Sequence, residues 1–202
     1  MNNPLDNLNR YDIVLASASP RRRELLGMLD IPFTIAPGID VDESYPSDLT
    51  PERIPEYLAL KKSAAYTSSL PAGTLCITAD TIVLLGEEVL GKPTGEADAR
   101  RMLHRLSGRT QRVVTGVAVA AIGERGATVR TESFSAVSEV EFSELTDEEI
   151  DYYVTRYTPL DKAGAYGIQE WIGAAAIRGI RGSFYNVMGL PLHRLYSLLR
   201  TF

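Results

Sequence analysis

The segment RVVTGVAVAAIGERGATVRTESFSAVSEVEFSEL, residues 112–145, reads as two long strands joined at GERG, and a hairpin of that length commits the chain to a β-sheet. TLCITADTIVLL reads as another long strand, with GEE as the turn into a short return strand EVL. Near the start, YDIVLAS is a short buried strand that passes straight into a helix at Ser17 to Pro20. That helix, SPRRRELLGML, places Leu25, Leu26 and Leu29 on one face. A second helix starts at Thr50, with Pro51 at its first position, and runs through PERIPEYLALKKSAAYTSS; Pro55 leaves its first turn open. GEADARRMLHRLSG is a helix closed by glycine, Thr146 and Glu149 form a capping-box start for a helix through Tyr157, and PLHRLYSLLRTF is the final helix. Strands interleaved with helices, plus one strong hairpin, predict an α/β fold. The expectation is a mixed twisted sheet with helices on both faces, in two closely packed lobes around a cleft. Residues 11–202 are expected to form one domain, preceded by a flexible extension over residues 1–10.

Composition removes several function classes. A chain of 202 residues, 45% hydrophobic and 23% charged, can bury one sizeable core. Its longest uncharged apolar stretches, such as Val113 to Ile122, fall well short of the roughly 20 residues that span a bilayer. The start, MNNPLDNLNRYD, is polar and acidic where a secretory signal is basic and then apolar, so a cytoplasmic protein is expected. Cys76 is the sole cysteine and lies in an apolar run, which rules out an internal disulfide and any cysteine-based zinc spacing. A formal charge of -5 disfavours long nucleic acid as a partner, and nothing suggests a membrane.

The positive charge is concentrated at one helix start. Ser19 suits the N-cap and Pro20 the first helical position, so Arg21, Arg22 and Arg23 fall in the first turn. The macrodipole already carries partial positive charge there, which disfavours each arginine by roughly 0.3–1 kcal/mol unless an anion sits in front. Free backbone N–H groups, the hydroxyls of Ser17 and Ser19 and one or two guanidiniums suit a polyphosphate. Successive helical residues point about 100° apart, so Arg21 and Arg22 are expected to reach such a ligand and Arg23 to be solvated. The plainer alternative is three surface arginines on a well-capped helix.

GEEVLGK, residues 86–92, matches seven positions of a phosphate-binding Walker A loop, but Pro93 replaces the hydroxyl that would bind Mg²⁺ and the glycines fall in a hairpin. Lys92 remains available as a lone cation. Asp80 interrupts an apolar run and needs a cation partner to be buried there. A hard divalent ion held by Asp80, with help from Asp42 and Glu43, is one answer; an arginine partner or a strand-end cap is the other. The glycine-rich LDKAGAYGIQEWIG carries Lys162 and Gln169, whose amide matches the N3–H and O4 edge of thymine or uracil. An ordinary surface amide in a set of turns is the alternative. His104 and His193 have no assigned role.

Taken in order, SASPRRRELL, ADTIV, GKP, LSGRTQRVVTGVAV, LDKAGAYGIQ and GSFYNVMGLPL resemble the Maf-like proteins, over about Tyr11 to Leu199. Within that family the chain looks like the dTTP/UTP pyrophosphatase branch, and less like the branch acting on 7-methyl-GTP. The resemblance implies a Maf/ITPase-like fold, usually a homodimer, and hydrolysis of a nucleoside triphosphate between its α and β phosphates with Mg²⁺ or Mn²⁺. It implies that Asp80 is the proton acceptor, or binds the metal that activates water. Arg21, Thr81 and Gln169 match positions that tune substrate choice, and Ser17, Arg22, Lys62, Lys92 and Lys162 match polar site positions. The acidic metal position falls at Asp42 or Glu43, Lys61 competes with Lys62 for its assignment, and Trp171 with AAAIRGIRG is expected to reshape the far wall of the pocket. A non-enzymatic nucleotide-binding regulator of septum formation and a phosphotransferase using GEEVLGK are the competing readings.

Overall fold

Strand β1 (Asp12–Leu15) pairs in parallel with β2 (Thr34–Ile35) on one side and with β3 (Thr74–Leu85) on the other, in the register Asp12↔Thr74 to Leu15↔Ile77. In the computed structural model, which describes residues 3–124 and 127–202, Leu15, Leu75 and Ile77 are fully buried. Consecutive buried residues, rather than alternating ones, mark strands covered on both faces. Hydrogen bonding runs in the order β2-β1-β3-β5-β6-β7, where β5 is Thr110–Ile122, β6 is Thr128–Phe142 and β7 is Ile177–Arg181. The expected β5–β6 hairpin is present as neighbouring strands, with the Gly123 N–H donating to the Ala127 carbonyl at 2.7 Å. Arg125 and Gly126 of the expected GERG turn lie outside the described residues.

The chain divides into two compact units. The first comprises Met1–Asp80, Thr115–Ala136 and Gly189–Phe202. It holds α1 (Pro20–Gly27), α2 (Ile54–Thr67) and α7 (Leu192–Leu199). Pro51–Arg53 forms a 3-10 turn ahead of α2, and Pro55 falls in the first turn of α2, where a missing N–H breaks no helical bond. Gly116 of β5 accepts α2 at very close range: a Cβ there would lie 2.1 Å from the Glu56 backbone nitrogen. The Thr78 hydroxyl of β3 donates to the Ala59 carbonyl at 2.7 Å and fixes the same helix further along.

Residues 3–10, expected from the sequence to be a loose extension, are docked in this unit. Asp6–Arg10 is a 3-10 helix with Leu5 and Leu8 each 2% exposed. Asn7 donates through Nδ2 to the Leu199 carbonyl at 2.9 Å, and Arg10 donates to the carbonyl of Phe202. Two leucines three residues apart share one side of a three-residue turn, which polar composition concealed.

The second unit comprises Thr81–Val114 and Val137–Met188. In it β4 (Glu88–Leu90) folds back antiparallel on β3, from Val83↔Leu90 to Leu85↔Glu88, with Gly86 at φ +64° in the turn. GEEVLGK is therefore a hairpin and not the start of a helix. The unit contains α3 (Glu96–Leu106), α4 (Asp147–Tyr157), α5 (Trp171–Ala176) and α6 (Phe184–Met188). The capping box is complete: the Glu149 N–H donates to the Thr146 hydroxyl and the Thr146 N–H to the Glu149 carboxylate. Arg100 of α3 clamps α4 through Asp151 at 2.6 Å. Strand β7 is antiparallel to β6. Among the described residues no helix is long and apolar enough to cross a membrane.

Candidate active site

In the first unit, the end of β1 delivers the chain to α1 through Ser17, Ala18 and Ser19. Ser19 occupies the N-cap position, but its hydroxyl makes no capping bond; the Ser19 N–H instead donates to the Ser17 hydroxyl at 3.3 Å. Pro20 has no N–H to offer, and the first turn holds no acidic residue. A helix start built this way, with no side-chain cap and cations in its first turn, favours an anionic ligand.

The three arginines part company as 100° steps require. Arg23 is exposed, as expected. Arg22 turns inward: its Nε donates to the Gly189 carbonyl and its Nη1 to the Ala79 carbonyl, each at 2.8 Å, with Ser17 Oγ at 3.4 Å. Burial pulls the Arg22 guanidinium below its ordinary range, against the Asp80 carboxylate, which raises it; Arg21 lowers it further and Glu43 raises it. Arg22 thus braces the middle of β3 beside Asp80, and Arg21 is half-buried at the helix start.

Asp80 finds its cation in Lys62. The ammonium lies 2.6 Å from Asp80 Oδ1 and 2.8 Å from Glu43 Oε1, so its charge sits between two carboxylates. Asp42 faces elsewhere: it binds Lys61 at 2.8 Å and the Ser44 N–H at 3.0 Å. These bonds hold the Asp42 carboxyl well below the usual carboxylate range. The acidic pair and the lysine pair, each ambiguous in sequence, are sorted together: Glu43 and Lys62 gather at Asp80, Asp42 and Lys61 do not.

Thr81 follows Asp80 directly and is the first residue of the second unit. There Lys92 is exposed in the loop after β4, and that loop is tied to the glycine-rich segment because the Gly164 N–H donates to the Gly91 carbonyl at 3.0 Å. Gly164 (φ +70°) and Ala165 (φ +60°) are both left-handed, the second at a cost of roughly 1–2 kcal/mol for a residue with a Cβ. Lys162, only 7% exposed, is held by Asp161 at 2.7 Å and Glu170 at 3.0 Å. Gln169 is exposed.

Two residues escaped the sequence reading. Glu170 accepts from both Lys162 and the Tyr153 hydroxyl, and that hydroxyl accepts from the Gly167 N–H at 2.9 Å. A carboxylate beside an uncharged run, the signal that singled out Asp80 in LCITADTIVLL, was also present at Glu170, which follows AGAYGIQ.

Residues 12–202 match the family described as Maf-like protein. A protein of Phocaeicola vulgatus named dTTP/UTP pyrophosphatase is 53% identical over 196 residues, covering 97% of this chain and 98% of that protein. One of Porphyromonas gingivalis with the same name is 54% identical over 200 residues, covering 98% of each. A Bacteroides thetaiotaomicron protein, again of that name, is 51% identical over 97% of this chain and 98% of its own length. Among solved structures, the Ham1 protein of Staphylococcus aureus shares the fold with a TM-score of 0.53 at 19% identity, covering 94% of this chain and 98% of its own. With a mixed α/β sheet of this topology and a family match over nearly the whole sequence, the chain belongs to the Maf-like family.

Proposed function

We propose that this protein hydrolyses dTTP and UTP between the α and β phosphates, releasing the nucleoside monophosphate and pyrophosphate. The carrying observation is Lys62 bridging Asp80 and Glu43, close to the Arg22 that braces the uncapped start of α1. Relatives about half identical over nearly their whole length bear the name dTTP/UTP pyrophosphatase, which supports the choice of substrate.

Hydrolysis at the α phosphorus builds negative charge on phosphoryl oxygens and on the departing pyrophosphate, so the residues chiefly position and neutralise. Arg21, the hydroxyls of Ser17 and Ser19 and the first N–H groups of α1 receive phosphate oxygens. Arg22, bound to two carbonyls, keeps β3 and α1 in register for that contact. Asp80 orients the attacking water and accepts its proton. Lys62 keeps Asp80 in place until substrate arrives; Lys92 and Lys162 offset charge on the phosphates, and Thr81 and Gln169 select the base.

A divalent cation fits the donor set. Among the described residues no three or more His, Cys, Asp or Glu side chains gather, so the protein offers the two carboxylates of Asp80 and Glu43. Mg²⁺ or Mn²⁺ is ordinarily held this way, by one or two carboxylates with substrate phosphates and water completing the shell. The ammonium of Lys62 already stands between those two groups as a cation. When bound, the metal would supply charge neutralisation at the phosphates. The same reading takes the protein as a cytoplasmic homodimer with neither nucleic acid nor membrane as partner, in line with its net charge of -5.

Purified protein incubated with Mg²⁺ and dTTP, UTP, 7-methyl-GTP or ATP is expected to release pyrophosphate from the first two. Orthophosphate or a phosphorylated acceptor would point to a transferase, and no product to a nucleotide-binding regulator. Asp80→Asn is expected to lower kcat by roughly 10²–10⁴-fold; full activity in that variant refutes the role given to Asp80.

A further inference from the structure

Glu170 sits at the junction of two groups with separate tasks. One carboxylate oxygen takes the ammonium of Lys162 at 3.0 Å and the other takes the proton of the Tyr153 hydroxyl. Its backbone closes the turn 167–170, donating to the Gly167 carbonyl at 3.0 Å, and starts α5 by accepting from the Gly173 N–H at 2.9 Å. Gln169 lies inside that turn.

The turn has little freedom. A Cβ on Gly167 would meet the Glu170 carboxyl carbon at 2.8 Å and Lys162 Cε at 3.0 Å, and one on Gly173 would meet the Ile168 carbonyl oxygen at 1.8 Å. Tyr153 is fully buried, and its oxygen accepts from the Gly167 N–H while donating to Glu170. Burial, with the carboxylate beside it, pushes the Tyr153 hydroxyl far above its ordinary range, so it keeps the proton it donates.

Rigidity here has a chemical use. A glutamine amide matches the N3–H and O4 edge of uracil in one orientation and the N3 and N4–H₂ edge of cytosine when flipped. Selectivity between those bases then depends on where the turn sets that amide. We infer that Glu170 is a positioning residue: it ties the turn that presents Gln169 to the phosphate-directed Lys162, so that base choice and charge placement are set by one carboxylate. This rests on the pyrophosphatase reading above.

The test is steady-state kinetics of the full-length protein with UTP, dTTP and CTP, with melting temperatures for every variant. Tyr153→Phe cuts the link to the turn and spares the Lys162 contact; its UTP-over-CTP preference in kcat/KM is expected to fall roughly tenfold. Glu170→Gln still accepts from Tyr153 but loses the charge facing Lys162. It is expected to keep that preference within about twofold while KM rises several-fold for all three nucleotides. Glu170→Ala should show both losses; if it fails to fold, the other two variants decide. A preference that survives in Tyr153→Phe, or a wild type with no preference for UTP over CTP, overturns the inference while leaving pyrophosphate release intact. A wild type that releases no pyrophosphate from any nucleotide ends the functional reading, and this inference with it.

Discussion

At the scale of residues, the site is decided by which of two adjacent side chains turns inward. Sequence offers Asp42 beside Glu43 and Lys61 beside Lys62, and neither pair can be resolved by type. On a helix, neighbouring residues diverge by about 100°, so α2 can aim only one of its lysines at Asp80. It aims Lys62, and Glu43 follows by charge, while Asp42 is taken up by Lys61 and Ser44. Glu43→Gln should therefore raise the Mg²⁺ concentration needed for half-maximal activity roughly tenfold or more, whereas Asp42→Asn should leave it within about twofold. Calorimetric titration with Mn²⁺ gives a second readout, and equal effects in the two variants would contradict the assignment. Arg22 shows a different limit. Its place in the first turn was legible, yet its use on the Ala79 and Gly189 carbonyls was not, because the carbonyls come from distant stretches of chain.

At the scale of elements, the parts that carry a local signal were readable. The long apolar strands, the Gly86 hairpin and the Thr146–Glu149 capping box each depend on residues within a few positions of one another. Elements β7, α5 and α6 carry no such signal, being five or six residues long, the first two with a glycine inside, and form through pairing or packing. Gly116 illustrates what pattern misses. In RVVTGVAVAAIG it reads as a weak point in a strand, yet it is where the first turn of α2 rests on β5. Gly116→Ala places a methyl 2.1 Å from the Glu56 nitrogen and 2.2 Å from the Pro55 carbonyl carbon, both backbone atoms that no rotamer change can move. The expected cost is about 1–3 kcal/mol or more, measured by urea denaturation, and since α2 carries Lys62 the activity should fall with it. A stable, fully active Gly116→Ala protein would show that α2 shifts freely.

At the scale of the whole molecule, both chain ends belong to the first unit, which is assembled from three separate stretches of sequence. Such a unit depends on contacts that close late in the chain. Arg130 reaches the C-terminal residues, with Nη2 donating to the Thr201 hydroxyl at 3.0 Å and its guanidinium 4.2 Å from the centre of the Phe202 ring. The N-terminal 3-10 helix adds Asn7 on Leu199 and Arg10 on Phe202. Its two leucines contribute most: burying each is worth about 1.5–3 kcal/mol by area, an upper bound because unfolded chains already bury some surface. Deleting residues 1–10 should then lower the melting temperature by roughly 5–15 °C for a chain of this size. The double variant Leu5→Ala with Leu8→Ala should reproduce most of that loss, and Asn7→Ala little of it, since one amide–carbonyl bond contributes about 1 kcal/mol net. If the deletion melts within about 1 °C of the intact protein, the buried leucines contribute nothing to stability. A loss that tracks Asn7 rather than the leucines would place the effect in hydrogen bonding to the last helix instead.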